Sequence, residues 1–379
     1  MKAGIYIHIP FCRSRCSYCD FATGMYESNA AERYVSALVR ELDTSAVVPQ
    51  PAPADTIYLG GGTPSLLSNK QVEQILQSVR WRFQIAEGAE VTIEMNPGDA
   101  EGRPEKLAGW RSLGINRVSF GAQTFDDDGL RQLGRTHTSA DIRRTFHDLR
   151  LAGFANINFD LIAGLSAQTL DGWKRNLEEA LALRPEHLSL YLLDVHEGTP
   201  LADQIKRGQR AKPDEDLTAA MYRFMIDAVR AAGYQHYEIS NFALPGYEAR
   251  HNTKYWTGAP YYGFGCSAHS YDGERMRWSN ERDSARYTQM VAEGQSPIVE
   301  TIELSEADSQ AEALFLGLRM MGGMSIGQFA MRFGSDPRKQ YEVDLERFCE
   351  AGLIEVDGDL IRLTAAGALL SNEVFAAFV

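Results

Sequence analysis

The sequence predicts an α/β chain, a partial (β/α)6 barrel followed by a mainly helical, winged-helix-like domain. Three observations carry this. First, six short apolar runs, at 4–9, 55–60, 90–95, 116–121, 156–162 and 187–193, alternate with longer amphipathic stretches, at about 29–46, 68–83, 104–113, 126–153, 169–184 and 214–233. Strand followed by helix, repeated, implies parallel strands joined by right-handed crossovers. Second, most of the runs meet Gly or Pro just past their C-terminal ends: Pro10, Gly61, Pro97, Gly121 and Gly164. That rim is where a parallel barrel holds its chemistry. Third, beyond residue 300 the period turns helical at about 305–321, 325–332 and 337–351. It ends in a hairpin, 353–356 with 360–363 about Asp357-Gly358, and a final helix, which is the order of a winged helix.

In the first strand, Tyr6 and His8 alternate with Ile5, Ile7 and Ile9, so period two sets the two polar side chains on one face. A Pro/Ala linker at 49–54 precedes the second strand, and a weaker β signal at 237–239 follows the sixth helix. Residues 241–299, rich in Tyr, Trp, Gly and Asn, have little periodicity. Three units are expected: 1–240 as the barrel, 241–299 as a segment packed on it, and 300–379 as the C-terminal domain.

With 44% apolar and 23% charged residues the chain can bury an ordinary core. No apolar run is long enough to cross a bilayer, and the opening residues lack an apolar h-region with a small-residue cleavage site, so secretion through a signal peptide is not expected. A cytoplasmic protein is expected. The net charge of −13 argues against nucleic acid as a partner. Residues 300–379 hold 6 basic and 14 acidic side chains, so the winged module is also unsuited to phosphates.

Three of the five cysteines, Cys12, Cys16 and Cys19, form a C-x3-C-x2-C run directly after the first strand. An odd count with three thiols in one loop points to metal or redox chemistry rather than disulfides. Three thiolates can hold three irons of a cubane [4Fe-4S] cluster and leave the fourth open. A structural zinc site would want four ligands, and no second CxxC supplies them. Cys266 and Cys349 stand alone and are read as buried small apolar residues.

The cysteine loop, its place after strand one and the glycines of Gly60-Gly61-Gly62-Thr63-Pro64 resemble the radical S-adenosylmethionine (SAM) superfamily, which implies a radical SAM barrel. In that superfamily SAM chelates the open iron, and an electron from the cluster cleaves it to a 5′-deoxyadenosyl radical. The resemblance implies that Gly61, Gly62 and Thr63 cradle the methionyl end of SAM. It further implies that Glu94, Gln123, Arg135 and Asp160 contact SAM and that Tyr6 and Tyr18 flank the cluster. From residue type alone these are rim caps and salt bridges as readily as ligands.

The resemblance extends along nearly the whole chain to the family of oxygen-independent coproporphyrinogen III oxidase (HemN-type). It rests on YIHIPFC at 6–12, YLGGGTPS at 58–65, RVSFGAQTF at 117–125, FDLIAGL at 159–165 and RLTAAGALLSNEVF at 362–375. Two departures separate the chain from the oxidase. Phe21 stands where the oxidase has a fourth cysteine, and 11 residues precede Cys12 where the oxidase has an extension. In addition, His251-Asn252-Thr253-Lys254-Tyr255-Trp256 matches the HNxxYW motif of the HemW-type haem chaperones within the family. That likeness implies haem held by His251, with Tyr255 and Trp256 as flat faces; on composition alone a lone histidine and two core aromatics would be the plainer reading, and the six-letter match with the missing fourth cysteine outweighs it. The implied partners are haem, a haem-accepting respiratory protein and an electron donor, with membrane association only through partners. Enzyme activity is left undecided, and no catalytic residue is assigned. His236 and His269 are candidates to line the same pocket, while His137, His147, His187 and His196 are read as structural. The segment at 263–270 is read as a tight loop without an assigned role.

Overall fold

The computed structural model describes residues 1–45, 52–100 and 102–378, so the first half of the expected linker at 49–54 lies outside the described residues. Six strands follow one another in parallel: β1 (Ala3–Ile9), β2 (Ala54–Gly61), β3 (Ile85–Met95), β4 (Arg117–Gln123), β5 (Ile157–Ala163) and β6 (His187–Leu192). Between and after them run α1 (Ser28–Thr44), α2 (Asn69–Arg82), α3 (Pro104–Ser112), α4 (Asp127–Leu133), α5 (Ser139–Leu151), α6 (Leu170–Leu183), α7 (Pro200–Lys206) and α8 (Glu215–Ala231). Alternation decides which way each strand faces. On β1 the residues Ala3, Ile5, Ile7 and Ile9 are fully buried in the main apolar core, while Tyr6 and His8 lie on the other face. Each such isoleucine stabilises the fold by about 1.5–3 kcal/mol.

The helical stretch expected at 126–153 is two helices. Gly134 takes φ 77° at the end of α4, and Thr138 starts α5 with a capping box, its side chain and that of Asp141 bonding each other's backbone N–H. Apolar periodicity spans the break, so the cap and the glycine, not the pattern, mark it.

The sheet continues past both ends of the parallel run. β7 (Gln235–Glu238) and β8 (Asn241–Ala243) extend it beyond β6 in antiparallel fashion. On the far side β9 (Tyr261–Phe264) pairs in parallel with β1, followed by β10 (His269–Tyr271), β11 (Met276–Asn280) and β12 (Ile298–Glu303). The strand order β12-β11-β10-β9-β1-β2-β3-β4-β5-β6-β8-β7 is linear, so the barrel is open. Residues 241–299, which lack periodicity in sequence, therefore form sheet strands and two helices, α9 (Arg250–Thr257) and α10 (Ser284–Ala292). Three- to five-residue strands are too short to display a period, and α9 buries His251 and Lys254 instead of an apolar stripe.

The C-terminal unit contains α11 (Glu306–Leu318), β13 (Met324–Ser325), α12 (Ile326–Phe333), α13 (Pro337–Gln340), α14 (Glu342–Glu350), β14 (Ile354–Asp357), β15 (Leu360–Leu363), α15 (Ala365–Leu369) and α16 (Ser371–Phe375). β14 and β15 form the expected wing, and the three strands lie in the order β13-β15-β14. Its core, with Leu314, Phe329, Phe348 and Ile361, is separate from that of the barrel but includes Ile239. Met321 N–H donates to Tyr237 O at 3.0 Å and Ile239 N–H to Arg319 O at 3.2 Å, tying the two together. Cys349 is exposed on α14, against the expectation of burial, because it falls on the solvent face of an amphipathic helix; Cys266 is buried as expected. Among the described residues no helix is long and apolar enough to cross a membrane.

Candidate functional site

The cysteine loop begins where β1 ends. Phe11–Cys12 pairs in parallel with Gly24–Met25, so the loop is closed at its base. Cys19 N–H donates to Cys16 O at 3.3 Å, Ser17 N–H to Leu133 O at 3.0 Å, and Leu201 N–H to Ser17 O at 2.8 Å. Helices α4 and α7 thus grip the loop from outside the barrel. Cys12, Cys16 and Cys19 all line one cavity of about 390 Å3 in the barrel mouth, and all three are partly exposed. The Thr63 hydroxyl donates to Cys12 Sγ at 3.5 Å.

Burial pushes the Cys12 and Cys19 thiols up, so as free thiols they hold their protons. Bound iron reverses this, because a coordinating thiol is deprotonated outright. The donor set fits a cluster held by three thiolates: Cys266 is buried beside Tyr34 and Cys349 lies on α14, so neither joins the loop. Among the described residues no three Cys, His, Asp or Glu side chains gather tightly enough for a single metal ion. Phe21 lines the cavity yet is 62% exposed.

Gly61, Gly62 and Thr63 reach the same cavity. Gly61 has φ 110°, and a Cβ there would lie 2.6 Å from the His8 ring; a Cβ on Gly62 would lie 2.7 Å from Phe11 O. Their N–H groups donate to Glu94 Oε2 at 3.0 Å and to Ile9 O at 2.8 Å. The space a side chain would take is already filled by protein, and Gly62 lets β2 approach the chain entering Cys12.

Glu94 also accepts from Tyr58 O–H at 2.7 Å. Burial pushes its carboxyl up to about 7, with Asp160 adding to the rise and the Tyr58 and Gly61 bonds opposing it. A cationic amine placed there would favour the carboxylate. Gln123 ends β4 with φ 65°, a left-handed conformation for a non-glycine residue, next to a register shift in the β4–β5 pairing. Such strain costs on the order of 1–3 kcal/mol and gathers at functional sites. Arg135, in the break between α4 and α5, donates to Tyr18 O–H at 2.7 Å and to Asn96 Oδ1 at 2.5 Å. Its Nε is buried without a partner among the described residues, on a side chain that lines the cavity. Asp160 accepts from Asn158 Nδ2 at 2.7 Å, and burial raises its carboxyl.

Tyr18, Gly61, Gly62, Thr63, Glu94, Gln123, Arg135 and Asp160 therefore meet around the three thiols. Tyr6 does not line the cavity. Its ring stacks on Tyr58 with centroids 6.2 Å apart, and its O–H bonds His8 Nδ1 at 3.0 Å. His8 Nε2 bonds Ala22 O at 3.0 Å, so that nitrogen carries the proton and Tyr6 donates to the other. Tyr6 braces the chain that enters and leaves the cysteine loop.

His251, Tyr255 and Trp256 lie together on α9, apart from the thiols. His251 is 1% exposed; its Nδ1 bonds the Thr56 hydroxyl at 2.8 Å and its Nε2 the Tyr255 hydroxyl at 2.9 Å. Burial lowers its pKa to about 3, with Lys254 and Arg117 adding to the effect, so the ring is neutral but both nitrogens are engaged. Asn252, between these residues in sequence, lines the cysteine cavity.

Sequence reasoning missed several residues here. Asn96 links Arg135 to Thr63, buried Asp99 pairs with Arg13 at 3.5 Å, and Tyr58, Arg117, Ser119, Asn158, Ser189 and Tyr191 project from alternate strand positions. The period-two polar pattern of β4, β5 and β6 was the available signal. His137 and His196, read as structural, line the cavity; His187 is buried beneath it on Asn158 Oδ1 at 2.6 Å. His236 stacks on Phe242 at 4.3 Å and His269 is exposed on β10, so neither joins this cavity.

Known proteins share this fold. The model of the radical SAM superfamily matches residues 6–180, and that of the HemN C-terminal domain matches residues 304–370. The chain is 38% identical to the haem chaperone HemW of Bacillus subtilis, over 99% of this chain and 98% of that protein. It is 35% identical to HemW of Lactococcus lactis, over 99% of this chain and 96% of that one. Among solved structures, the radical SAM enzyme coproporphyrinogen III oxidase (HemN) of Escherichia coli superposes with a TM-score of 0.85 at 25% identity, covering 100% of this chain and 90% of the other.

Proposed function

We propose that this chain, which belongs to the family of the haem chaperone HemW within the radical SAM superfamily, is itself a haem chaperone. It binds haem and delivers it to an acceptor haem protein, carrying a [4Fe-4S] cluster and SAM in the barrel mouth. The observation that supports this reading over an oxidase is the cysteine loop: three thiols meet the cavity, and Phe21 follows them with its ring largely in solvent.

Cys12, Cys16 and Cys19 would hold the cluster. Tyr18, Gly61, Gly62, Thr63, Glu94, Gln123, Arg135 and Asp160 would line the SAM site, with Tyr6 bracing the loop behind it. When bound, cluster and SAM supply one-electron chemistry at the open iron. The chain's own part is to fix the loop, place Glu94 for a cationic group and Arg135 for an anionic one, and keep water off the cavity floor. A reducing electron donor and a respiratory haem protein are the partners this implies. A cytoplasmic setting suits the free thiols, with membranes reached only through such partners, and the acidic surface does not suit nucleic acid.

Haem handling falls to the helix carrying His251, Tyr255 and Trp256. Coordination of iron by His251 would require one of its ring hydrogen bonds, Nε2 to Tyr255 or Nδ1 to Thr56, to break, while the other nitrogen keeps its partner.

The second reading, oxygen-independent coproporphyrinogen III oxidase, is favoured by the full-length likeness to that enzyme. Anaerobically reconstituted protein offered haemin in one vessel, and coproporphyrinogen III with SAM and reductant in another, separates the two. Haemin binding without protoporphyrinogen IX is expected; protoporphyrinogen IX without haemin binding would select the oxidase.

A further inference from the structure

A second cavity, of about 360 Å3, lies between the end of α9 and the C-terminal domain, and it shares no lining residue with the cysteine cavity. Its walls bring together flat or polarizable apolar groups, Trp256, Tyr271, Met320 and Met324, and two guanidinium groups, Arg277 and Arg332. Three features point to a ligand. The Trp256 Nε1–H is buried without a partner among the described residues, although Arg319 covers the ring with its Cζ 4.2 Å from the centroid. Arg332 forms no ion pair among the described residues; its Nη2 donates to Tyr271 O–H at 3.0 Å and to Gly273 O at 3.5 Å. Among the described residues the cavity lining holds one carboxylate, Glu312, which Arg277 already contacts at 2.5 Å, although residues 300–379 are strongly acidic.

A guanidinium with no carboxylate partner among the described residues, beside an indole and two thioethers, suits a planar apolar anion. Aromatic and thioether faces take the ring, guanidinium binds carboxylate, and a thioether is among the axial ligands that haem iron accepts. We infer that this cleft seats the haem, with a propionate on Arg332 and the macrocycle against Trp256, and that His251 is not the primary ligand. The inference rests on the haem-chaperone reading above. It also gives α9 a place in both sites, since Asn252 lines the cysteine cavity and Trp256, one turn further on, lines the cleft.

The test is a haemin titration of the cluster-loaded protein, followed by the Soret band and tryptophan fluorescence. Wild type is compared with Arg332→Gln, Trp256→Phe and His251→Ala, and haemin dimethyl ester is the uncharged control. Arg332 is exposed, so its substitution leaves the fold standing. Arg332→Gln should weaken haemin binding about tenfold, the size of one charge-assisted hydrogen bond, and leave the dimethyl ester unaffected. Trp256→Phe should remove part of the fluorescence quenching, and His251→Ala should keep most of the affinity. Wild type that binds haemin, with Arg332→Gln and Trp256→Phe unchanged and His251→Ala deficient, overturns the cleft and leaves the chaperone reading in place. Wild type that binds no haemin overturns both.

Discussion

At the scale of single residues, chemistry follows from which atoms the loop brings together. Cys12→Ala, Cys16→Ala and Cys19→Ala should each abolish iron and sulfide incorporation, because on the proposed reading their three thiolates are the protein's ligands to the cluster. Cys266→Ser and Cys349→Ser should retain it. Iron and acid-labile sulfide per chain after anaerobic reconstitution check both expectations, and full content in Cys16→Ala would refute the assignment. Gly62→Ala is a more structural probe. Its Cβ would meet the Phe11 carbonyl at 2.7 Å, and backbone cannot swing aside as a side chain can. The expected result is a loss of about 1–3 kcal/mol in stability with reduced cluster content, measured by denaturant melts and iron analysis. Unaltered values for both would show that β2 and the cysteine loop move independently. The thiols were legible in sequence because their spacing is covalent. Asn96 and Tyr58 were not, since each acts through a partner from another element: Arg135 and Thr63 for one, Glu94 for the other.

Among the elements, α1 is fixed to the end of the sheet by one buried carboxyl. Glu41 on α1 accepts from Gly265 N–H at 2.8 Å, Asn280 Nδ2 at 2.6 Å and Tyr287 O–H at 2.5 Å, joining α1 to β11, α10 and the loop after β9. This gives the 263–270 segment a structural role that its sequence did not reveal. Burial pushes Glu41 from an ordinary 4.5 up to about 7, against the pull of these hydrogen bonds. The folded state therefore binds a proton more tightly than the unfolded chain does. The resulting stability is fully present below pH 4.5 and is lost as pH rises through about 7. The whole contribution is at most ~3 kcal/mol. Thermal melts at pH 5.5 and pH 8 should thus show a smaller pH-dependent change in Glu41→Gln than in wild type. An identical difference in the two proteins would place the titrating group elsewhere.

For the molecule as a whole, the separate cores matter. The C-terminal unit packs around Leu314, Phe329, Phe348 and Ile361, while the cysteine loop hangs on α4, α7 and the short pair with Gly24–Met25. Stripping the cluster with a chelator under reducing conditions should raise hydrogen exchange across residues 12–26 and leave the β14–β15 hairpin protected. Exchange mass spectrometry reads both regions at once. Loss of protection in the hairpin would show that the cluster stabilises the whole chain and not one rim of the barrel.

The sequence by itself determined the parallel α/β order, the wing and the gathering of three thiols in one loop. These depend on local quantities: apolar period, turn residues and covalent spacing along the chain. The tertiary structure decided what each polar residue faces. It took Tyr6 off the cavity wall, enclosed His251 between Thr56 and Tyr255, and set Trp256 in a cleft with Arg332. It also drew residues 241–299 into the sheet, where hydrogen bonds to β1 and β6 replace the missing periodicity. The physical reason is common to all these cases. A buried polar group is placed by the partners that satisfy it, and those partners come from strands and helices tens or hundreds of residues away.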